Sequence, residues 1–478
     1  MEAARGLGAG VAAGTIRAPH LLPRSWAPEE SCKSRGHGVV RALFWGKPRL
    51  KSLEREFSLS SQLQSDGVVA AQGSSDQLTT ITVSLVSTIS TIPADDWDAC
   101  ALDAAGGVLN PFVTHAFLSC LEDSKSAVAD EGWLPQHLVA RDDNGAVLGV
   151  VPLYLKSHSY GEYVFDHSWA SAYRSYGHMY YPKLQSCVPF TPATGPRILV
   201  RHGPLKQQVF AGICKALREL AHQSQASSVH VTFATEDEWK EMGKHNFLQR
   251  MGVQYHWSNA GYKSFDDFLA TLRHTKRKRI RQERKKIQDQ KLKLKRLRGD
   301  DIKAHHWDAF FNFYRNTTDN KWGQAYLTRE FFHLLGSRLG DKVLLVTAED
   351  GETLVAGALN LIGDDTLYGR NWGSLPNVFY PMLHFEACYY QAIEAAIEWK
   401  LKKVEAGAQG EHKLQRGYVP TATYSAHYIP DPDFRAAIAD FLIRETAQVK
   451  LVIQVLDESS PYKAVEEIPL EVKKKRSD

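Results

Sequence analysis

The alternation of apolar and polar residues along the chain follows one pattern that occurs twice. Residues 113–122 and 327–336 each place a Thr before apolar residues at helical spacing, which predicts a capped helix. Residues 138–155 and 345–362 each read as strand, acidic turn, strand, with Gly149 opposite Gly357. The first part of the pattern therefore predicts the same helix and hairpin in both halves.

The later part of the pattern also recurs in order. Its blocks are "FDHSWAS" (165–171) and "GRNWGS" (369–374), "YYPKL" (180–184) and "FYPML" (379–383), the amphipathic stretches 205–223 and 383–401, and the apolar runs 227–234 and 402–409. Together with the helix and the hairpin, these make six matching blocks in one order, which predict two homologous α/β domains in tandem. We place the first repeat at residues 76–260 and the second at 261–450, between a leader (1–75) and a C-terminal tail (451–478).

Each repeat is predicted to hold a mixed, mainly antiparallel sheet flanked by helices. The order is helix, antiparallel strand pair, third strand, helix, strand, so the last two strands are joined by a βαβ crossover. Such a sheet splays open near its middle, and ligands bind where strand order or direction changes. We expect the functional site at that splay.

Composition changes this picture little. The chain has 478 residues, of which 43% are hydrophobic, and no stretch approaches eighteen consecutive apolar residues. The six cysteines are scattered without a C-x-x-C pair or a Cys/His cluster at zinc spacing, so no metal site is predicted. The sequence also shows no G-x-S-x-G elbow and no Walker loop, which excludes the hydrolases and nucleotide triphosphatases built on those motifs.

The leader differs from the rest of the chain. Residues 1–50 carry eight Lys or Arg but three acids, Glu2, Glu29 and Glu30, and they run into the Ser-rich "SLSSQLQS". This composition is typical of an organellar transit peptide, for a chloroplast before a mitochondrion. The alternative is a disordered tail without a targeting role.

Positive charge is concentrated in one segment. The net charge is +4, whereas residues 274–298 hold thirteen Lys or Arg against Glu283 and Asp289, or +11, so the remainder sums to −7. Ser264 is predicted to cap a basic helix over 264–290, and "KLKLKRL" (291–297) alternates as an edge strand does. Three interpretations stay open for the charge: a solvated face, a contact for an anionic substrate or tRNA, and independent nucleic-acid binding. The candidate anion-binding residues are Arg277, Arg281, Arg284 and Lys285.

Three stretches carry a resemblance to a known family. They are "PLYLKSHSYGEYVFDHSWASAY" (152–173), "YYPKLQSCVPFTP" (180–192) and "GAQGEHKLQRGYVP" (407–420). With the doubled order of elements, they resemble the tandem GNAT-like fold of the FemAB-type aminoacyltransferases, over about residues 80–445. The resemblance implies N-acyl transfer to a small-molecule or other amine acceptor, with acyl-CoA or aminoacyl-tRNA as cosubstrate and no bound cofactor. It also implies that the basic helix contacts a polyanionic substrate such as tRNA.

One feature departs from the GNAT pattern. No clear Q/R-x-x-G-x-G/A loop, whose backbone N–H groups hold the CoA pyrophosphate, is found. This departure weakens the case for acetyl-CoA as the donor. A second hypothesis is a catalytically inactive GNAT-like pair that binds an acyl donor, RNA or a protein.

Acyl transfer needs a base for the attacking amine, donors for the oxyanion and cations for a charged substrate. Glu411 and His412, in a turn flanked by glycines, are candidate bases, and Lys413 and Arg416 candidate substrate-binding residues; the alternative is a solvated polar turn. Polar residues among aromatics predict either a pocket wall or an internal hydrogen-bond network at Asp166, His167, Trp169, Tyr181 and Lys183. The equivalent positions of the second repeat are Arg370, Asn371 and Trp372.

Overall fold

The structure, a computed structural model, describes residues 80–321, 325–408 and 410–463. The predicted leader and residues 464–478 of the predicted tail lie outside this part of the chain. In the first repeat the strands are β1 (Thr82–Val86), β2 (Trp133–Pro135), β3 (His137–Arg141), β4 (Val147–Val151), β5 (Leu153–Lys156), β6 (Lys183–Ser186), β7 (Leu199–Val200), β8 (Val229–Ala234) and β9 (Leu248–Ser258). Its helices are α1 (Ala94–Ala104), α2 (His115–Asp123), α3 (His167–Ser175), α4 (Lys206–Gln223) and α5 (Glu236–Lys244).

The second repeat follows the same order. Its helices are α6 (Phe265–Thr271), α7 (His274–Asp289), α8 (Ala304–Lys321), α9 (Arg329–Leu339), α10 (Leu383–Phe385), α11 (Gln391–Glu398) and α12 (Pro432–Glu458). Its strands are β10 (Lys293–Arg298), β11 (Val343–Asp350), β12 (Thr353–Ile362), β13 (Thr366–Ser374), β14 (Lys403–Glu405) and β15 (Val419–Tyr428). A π-helical stretch, Glu386–Tyr390, joins α10 to α11 into one continuous helix.

The predicted helix starts are confirmed by their caps. The Thr114 hydroxyl accepts a hydrogen bond from the Phe117 N–H, and the Thr328 hydroxyl accepts one from the Phe331 N–H. These equivalent positions begin α2 and α9, so the duplication extends to the capping residues.

The two repeats share a sheet through an exchange of their last strands. The 11-stranded sheet has the order β10-β11-β12-β13-β14-β9-β15-β8-β6-β5-β2. The last strand of the first repeat, β9, lies between β14 and β15 of the second, and β15 in turn pairs with β8. The order is symmetric about the β9–β15 pair for three strands on each side, with β14, β13 and β12 opposite β8, β6 and β5. A separate sheet contains β1-β3-β4-β7.

Both predicted βαβ crossovers are present. In the first repeat β6 and β8 are parallel and α4 joins them, and in the second β13 and β14 are parallel and the helix from Leu383 to Glu398 joins them. The remaining pairs of both sheets are antiparallel, so the mixed, mainly antiparallel α/β fold is confirmed.

The two repeats differ in the second strand of the hairpin. Leu138 pairs with Val151, and its counterpart Leu345 pairs with Leu359, so Pro152 and Asn360 are equivalent positions. Because proline has no N–H for the ladder, the first-repeat strand divides there into β4 and β5, which belong to different sheets. In the second repeat β12 is continuous, and its ladder with β13 has a β-bulge between Leu359 and Asn360.

The neighbouring strand is divided in the same place in the first repeat. Its two pieces, β6 and β7, are separated by residues 187–198, which we call the bridging loop. In the second repeat the corresponding strand, β13, is unbroken. The bridging loop therefore lies at the position where the second repeat has only a one-residue bulge.

The basic segment was predicted as a single helix over 264–290 but forms two. Ser264 caps α6 as expected, accepting from the Asp267 N–H at 3.1 Å. The helix then stops at buried Leu272, which is extended and bridges to Tyr462, while the Arg273 N–H donates to the Pro461 carbonyl. Contacts with the chain after α12 thus interrupt the helix, and residues 451–463, predicted as tail, belong to the folded part. The predicted edge strand is confirmed as β10.

No helix in the described ranges is long and apolar enough to cross a membrane.

Candidate functional site

The sheet of the second repeat opens between β13 and β14. The two strands pair only through Thr366–Tyr368 and Lys403–Glu405, after which β13 continues to Ser374 while β14 ends. Arg370 has no partner in the ladder with β12, since Asn360 pairs with Gly369 and Leu359 with Asn371. The splay predicted from the strand order is therefore present, and a bulge lies at its start. We call this opening, between residues 369–374 on one side and 406–408 and 410–413 on the other, the second-repeat cleft.

Aromatic and imidazole groups line the second-repeat cleft. Trp372 on β13 contacts His384 edge to face at 5.3 Å between ring centroids. His384, at the start of α10, lies 6.2 Å from the ring of His412, which follows β14. The Tyr389 hydroxyl hydrogen-bonds with His412 Nε2 at 2.9 Å, from the π-helical stretch. The residues after β13, after β14 and on the connecting helix thus converge.

Lys413 is the buried cation of this cleft. It is 2% exposed, and its Nζ donates to the Gly407 carbonyl at 3.0 Å. No carboxylate of the described residues pairs with it. Burial lowers the pKa of Lys413 to about 7, and the nearby Cys388 thiol only partly offsets this effect. A buried ammonium without a carboxylate is costly, so this amine is suited to binding an anionic group or to accepting a proton.

The other residues of the 410–417 turn have different environments. Glu411 and His412 are exposed at the start of a 3₁₀ turn, Glu411–Arg416. Arg416 is 1% exposed and donates to both oxygens of Glu283 on α7, at 3.0 and 2.9 Å, and to the His412 carbonyl. Its guanidinium is thus paired within the protein, so Arg416 holds the turn against the basic helix rather than presenting a charge to substrate.

Arg370 and Asn371 lie on the opposite face of β13 from Trp372. Because of the bulge, these two consecutive side chains line one cavity between the repeats. Arg370 donates through Nη2 to the Phe190 carbonyl and to Thr191 Oγ1, both in the bridging loop. The predicted equivalence of residues 165–171 and 369–374 is wrong, because the first block begins α3 and the second lies on β13. Arg370 and Asn371 face the cavity, whereas Trp372 faces the second-repeat cleft.

The candidate residues of the first repeat form a closed network. Lys183, fully buried, donates to Asp166, to Glu162 at 2.7 Å and to Ser159 at 2.9 Å. Burial alone would lower the pKa of Lys183, but Asp166 and Glu162 raise it above its usual value. Burial likewise opposes charge on Asp166, yet Lys183 and then His230 hold the pKa of that carboxyl well below its usual range. Of the two predicted alternatives, a pocket wall and an internal hydrogen-bond network, the structure shows the network.

The network continues across the junction of the repeats. The Tyr180 hydroxyl donates to Asp166 at 2.6 Å and contacts His230, whose Nδ1 lies 2.7 Å from Nδ1 of His427 on β15. Burial lowers the pKa of His230 to about 3, with Lys183 contributing. Both histidines are therefore neutral, and they tie β8 to β15.

The remaining first-repeat candidates surround this network. Trp169 is buried against His427, with 5.0 Å between ring centroids, and Tyr181 hydrogen-bonds with Ser159 at 2.8 Å. His167 is exposed and stacks on Phe165. None of the three lines the second-repeat cleft. Lys183, too, is in the other repeat.

The basic helix α7 has a paired and an unpaired side. Arg284 donates to Glu386 at 3.0 Å and to Glu394 at 2.6 Å, so it fastens α7 to the π-helical stretch and α11. Arg277, Arg281 and Lys285 line an open groove along the outer face. Arg281 also reaches the exposed Asp266 at 3.0 Å. Three of the four predicted anion-binding residues thus face the groove, and Arg284 serves packing.

Sequence reasoning missed several residues of these sites. His384, Cys388 and Tyr389 lie in the stretch predicted as an amphipathic helix, 383–401. Lys156 follows the predicted strand pair and Glu162 lies in the polar stretch after it, and neither was given a role. The sequence did contain a signal for His384. It stands three residues after Pro381, where a helix that follows the splayed strand is expected to begin. The partner of Lys183 could not be read, because Glu162 belongs to the loop between β5 and α3.

Comparisons with known proteins give a family match and several similar solved structures. Residues 88–464 match the family FemAB_like, described as "Peptidogalycan biosysnthesis/recognition". A search of curated proteins returned no match. Solved structures similar to the chain include FemX (11% identity, 73% of this chain and 98% of that chain, TM-score 0.46). L-PGS from Bacillus licheniformis is also similar (10%, 70% and 97%, 0.41), as is a tandem GNAT protein from the clavulanic acid biosynthesis pathway (10%, 74% and 99%, 0.41).

Proposed function

Because the chain belongs to the FemAB-like family, whose profile spans residues 88–464, we propose that it is an N-acyltransferase that moves an activated acyl or aminoacyl group to an amine. The observation that carries this proposal is the second-repeat cleft, where Trp372 contacts His384, His384 lies near His412, and Lys413 is the next residue of the chain. The donor is acyl-CoA or an aminoacyl-tRNA, and the acceptor is an amine-bearing molecule.

Each cleft residue has a role in this chemistry. His412, oriented by the Tyr389 hydroxyl at 2.9 Å, takes the proton of the attacking amine, and Glu411 beside it is the alternative base. Lys413 donates a hydrogen bond to the acyl oxygen as negative charge develops on it. Attack by the amine forms the new C–N bond and moves the carbonyl's π electrons onto the acyl oxygen. When the carbonyl re-forms, the C–S or C–O bond to the donor breaks, and its electron pair leaves with the CoA sulfur or the ribose oxygen, which takes up the proton held by the base.

The outer face of α7 is proposed to attract the donor. Arg277, Arg281 and Lys285 line one groove, and each contributes a charge that steers a polyanion. The leader is proposed to direct the protein to a plastid. A fusion of residues 1–75 to a fluorescent protein would be imported by chloroplasts under this proposal, and a cytosolic fusion would contradict it.

The activity is tested by supplying labelled donors to the purified protein. Acetyl-CoA, longer acyl-CoA esters and mixed aminoacyl-tRNAs are incubated in turn with amine acceptors, and labelled amide is detected by mass spectrometry. We expect one donor class to react and His412→Ala to lower turnover by about a hundredfold or more. Glu411→Gln separates the two candidate bases. Donor binding without transfer under any of these conditions would favour the inactive binding module instead.

A further inference from the structure

The last described residues of the chain are fixed beside the start of α7. The Lys463 N–H donates to the Thr271 carbonyl at 3.0 Å, and Tyr462 forms a β-bridge with Leu272. These partners stand between the end of α6 and the start of α7. Residues 464–478, which follow, therefore start at the basic helix.

The chain leaves this point alongside both helices. The bridge to Leu272 is antiparallel, so residues 461–463 run from the start of α7 toward the end of α6. Arg281 on α7 reaches Asp266 in the first turn of α6 at 3.0 Å, so α6 lies antiparallel to the first half of α7. A segment that continues in this direction has the outer face of α7 beside it.

The outer face of α7 has more positive charge than the described acids neutralise. Arg277, Lys278, Arg281 and Lys285 line its groove, at intervals that place them on neighbouring positions of one helix face. Arg281 has the exposed Asp266 as its partner. No carboxylate in the described part of the chain pairs with the other three cations. The groove thus has the charge to bind an acidic segment.

Residues 464–478 carry their charges in an order that fits this groove. The acids Glu466, Glu467 and Glu471 all precede Lys473, the first of four consecutive basic residues. At about 3.3 Å per extended residue, Glu471 reaches about 26 Å from the fixed point, and α7, with 16 residues, is about 24 Å long. The three acids therefore fall along the helix, and the basic residues, from about 33 Å onward, fall beyond it.

The apolar residues among these acids suit an extended segment on this face. Val465, Ile468 and Leu470 stand between or beside the acids, and Pro469 favours an extended conformation at Ile468. Lysine and arginine have apolar stems below their charged groups, which such side chains can cover. The segment 464–472 is thus complementary to the groove in charge, in length and in its apolar contacts.

We infer that residues 464–472 bind along the outer groove of α7, with Glu466, Glu467 and Glu471 paired to its cations. Each exposed pair is weak by itself, but the segment is tethered beside the groove, so its effective concentration there is high. A polyanion must displace the segment to bind. The consequence for a polyanionic donor rests on the proposed function of this groove: the segment favours donors that offer many phosphates over short anions.

A water-soluble carbodiimide, which joins a carboxylate to an amine in contact with it, tests this binding in the full chain. We expect mass spectrometry to find peptides that join the acids of 464–472 to Lys278 and Lys285. The pair Lys295–Glu349, at 2.7 Å, is the positive control. Formation of the control link without any link from 464–472 to α7 would overturn the inference. So would links found only between labelled and unlabelled chains in an isotope mixture, since the segment would then bind a second copy.

Neutral variants of the segment test its competition with polyanions. The full chain with Glu466→Gln, Glu467→Gln and Glu471→Gln together is titrated with polyuridylate over a range of salt. We expect at least about threefold tighter binding and a log–log salt slope steeper by about 0.7 for each cation that is freed to contact a phosphate. An unchanged slope would overturn the inference.

A matched control separates this effect from net charge. Glu131→Gln, Glu236→Gln and Glu330→Gln together remove three exposed acids of other surfaces and change the net charge by the same amount. We expect this variant to keep the salt slope of the unmodified protein. An equal steepening in both variants would show a general charge effect and would also overturn the inference.

The inference and the proposed function fail in different ways. Cross-linking and polyuridylate binding need no acyl donor, so the expected links and slopes without any acyl transfer would keep the contact and remove the activity. Acyl transfer without links from 464–472 to α7 would keep the activity and remove the contact. If both hold, the triple Gln variant of the segment should lower KM for a polyanionic donor by about threefold and leave kcat unchanged.

Discussion

The two repeats differ at one equivalent position of the sheet: the first is closed there and the second is open. After Val151 the first repeat breaks its strand at Pro152, inserts the bridging loop into the neighbouring strand and closes the space with the Lys183 network. After Leu359 the second repeat keeps both strands and forms a bulge, and neither the half-buried Arg370 nor the buried Lys413 has an acid partner among the described residues. A duplicated fold can thus convert one copy into a support for the other.

The direction of support is visible in the contacts of the bridging loop. From the first repeat it reaches Arg370 through Phe190 and Thr191, and Glu405 through the Thr194 N–H at 3.3 Å. The Pro192 carbonyl accepts from Gln254 at 2.8 Å. The loop that closes the first copy therefore also shapes one side of the second-repeat cleft.

The largest expected effect is on the closed copy. Lys183→Met would leave Asp166 and Glu162 buried without their shared cation, and loss of one partner of a buried ion pair costs about 3–5 kcal/mol. We expect the free energy of unfolding, measured with urea, to fall by that amount. Lys215→Met, on the exposed side of α4 in a pair with Glu219, is the control and should change it by less than about 1 kcal/mol. A Lys183 variant as stable as this control would mean that the network is not what closes the first repeat.

The same substitution in the open copy should have the opposite sign. Lys413→Met removes a buried amine whose pKa is about 7 in the folded protein against an ordinary 10.5. The unfolded chain binds the proton more tightly, so this lysine destabilises the protein fully below pH 7 and the cost is relieved as pH rises toward 10.5.

Lys413→Met should therefore stabilise the protein by roughly 1–3 kcal/mol at pH 6, with a gain that disappears near pH 10. Urea unfolding of the variant and the unmodified protein across this pH range gives the measurement. A loss of stability at pH 6 would show that Lys413 is a structural residue like Lys183. A gain together with lost acyl transfer would assign it to function.

A smaller effect is expected on the outer face of α7, which belongs to the second repeat alone. Replacing Arg277, Arg281 and Lys285 together by Glu should change stability by no more than about 1 kcal/mol, since exposed charges contribute little. Binding of mixed tRNA, measured by filter retention over a range of salt, should lose about 0.7–0.9 in log–log slope for each phosphate contact removed. Arg284 is left in place because it fastens the helix to Glu386 and Glu394. An unchanged slope would leave only the solvated-face interpretation of this charge.

Most of the fold could be read from local patterns. The Thr caps of α2 and α9, the strand pairs and the crossover helices are encoded by neighbours in sequence, and their recurrence in both halves supported the prediction. The match of residues 165–171 to 369–374 was wrong, since the first block begins α3 and the second lies on β13. The exchange of β9 and β15 could not be read, because either strand could pair within its own repeat. The break of the basic helix at Leu272 was hidden for a similar reason, since its cause is a contact with Pro461 and Tyr462 far along the chain.

The sequence predicted where the polar clusters lie better than it predicted what each side chain does. The Asp166, His167, Trp169 cluster and the 410–413 turn were chosen because polar residues stand among aromatics or glycines. Whether such groups face a cleft or each other depends on partners from distant segments, as Glu162 shows for Lys183 and Glu283 for Arg416. The bulge that turns Arg370 and Asn371 to one side leaves no mark in the sequence of β13 itself.

The central claim, that the substrate site is the second-repeat cleft, is tested most directly by hydrogen–deuterium exchange with mass spectrometry. The full chain is compared without ligand, with acetyl-CoA and with mixed aminoacyl-tRNA. We predict that the donor that binds will slow exchange in residues 369–374, 383–390 and 410–418, and will leave 153–166 and 183–186 unchanged. Protection centred on the first-repeat segments, or no protection in the second-repeat cleft by either donor, would contradict the account.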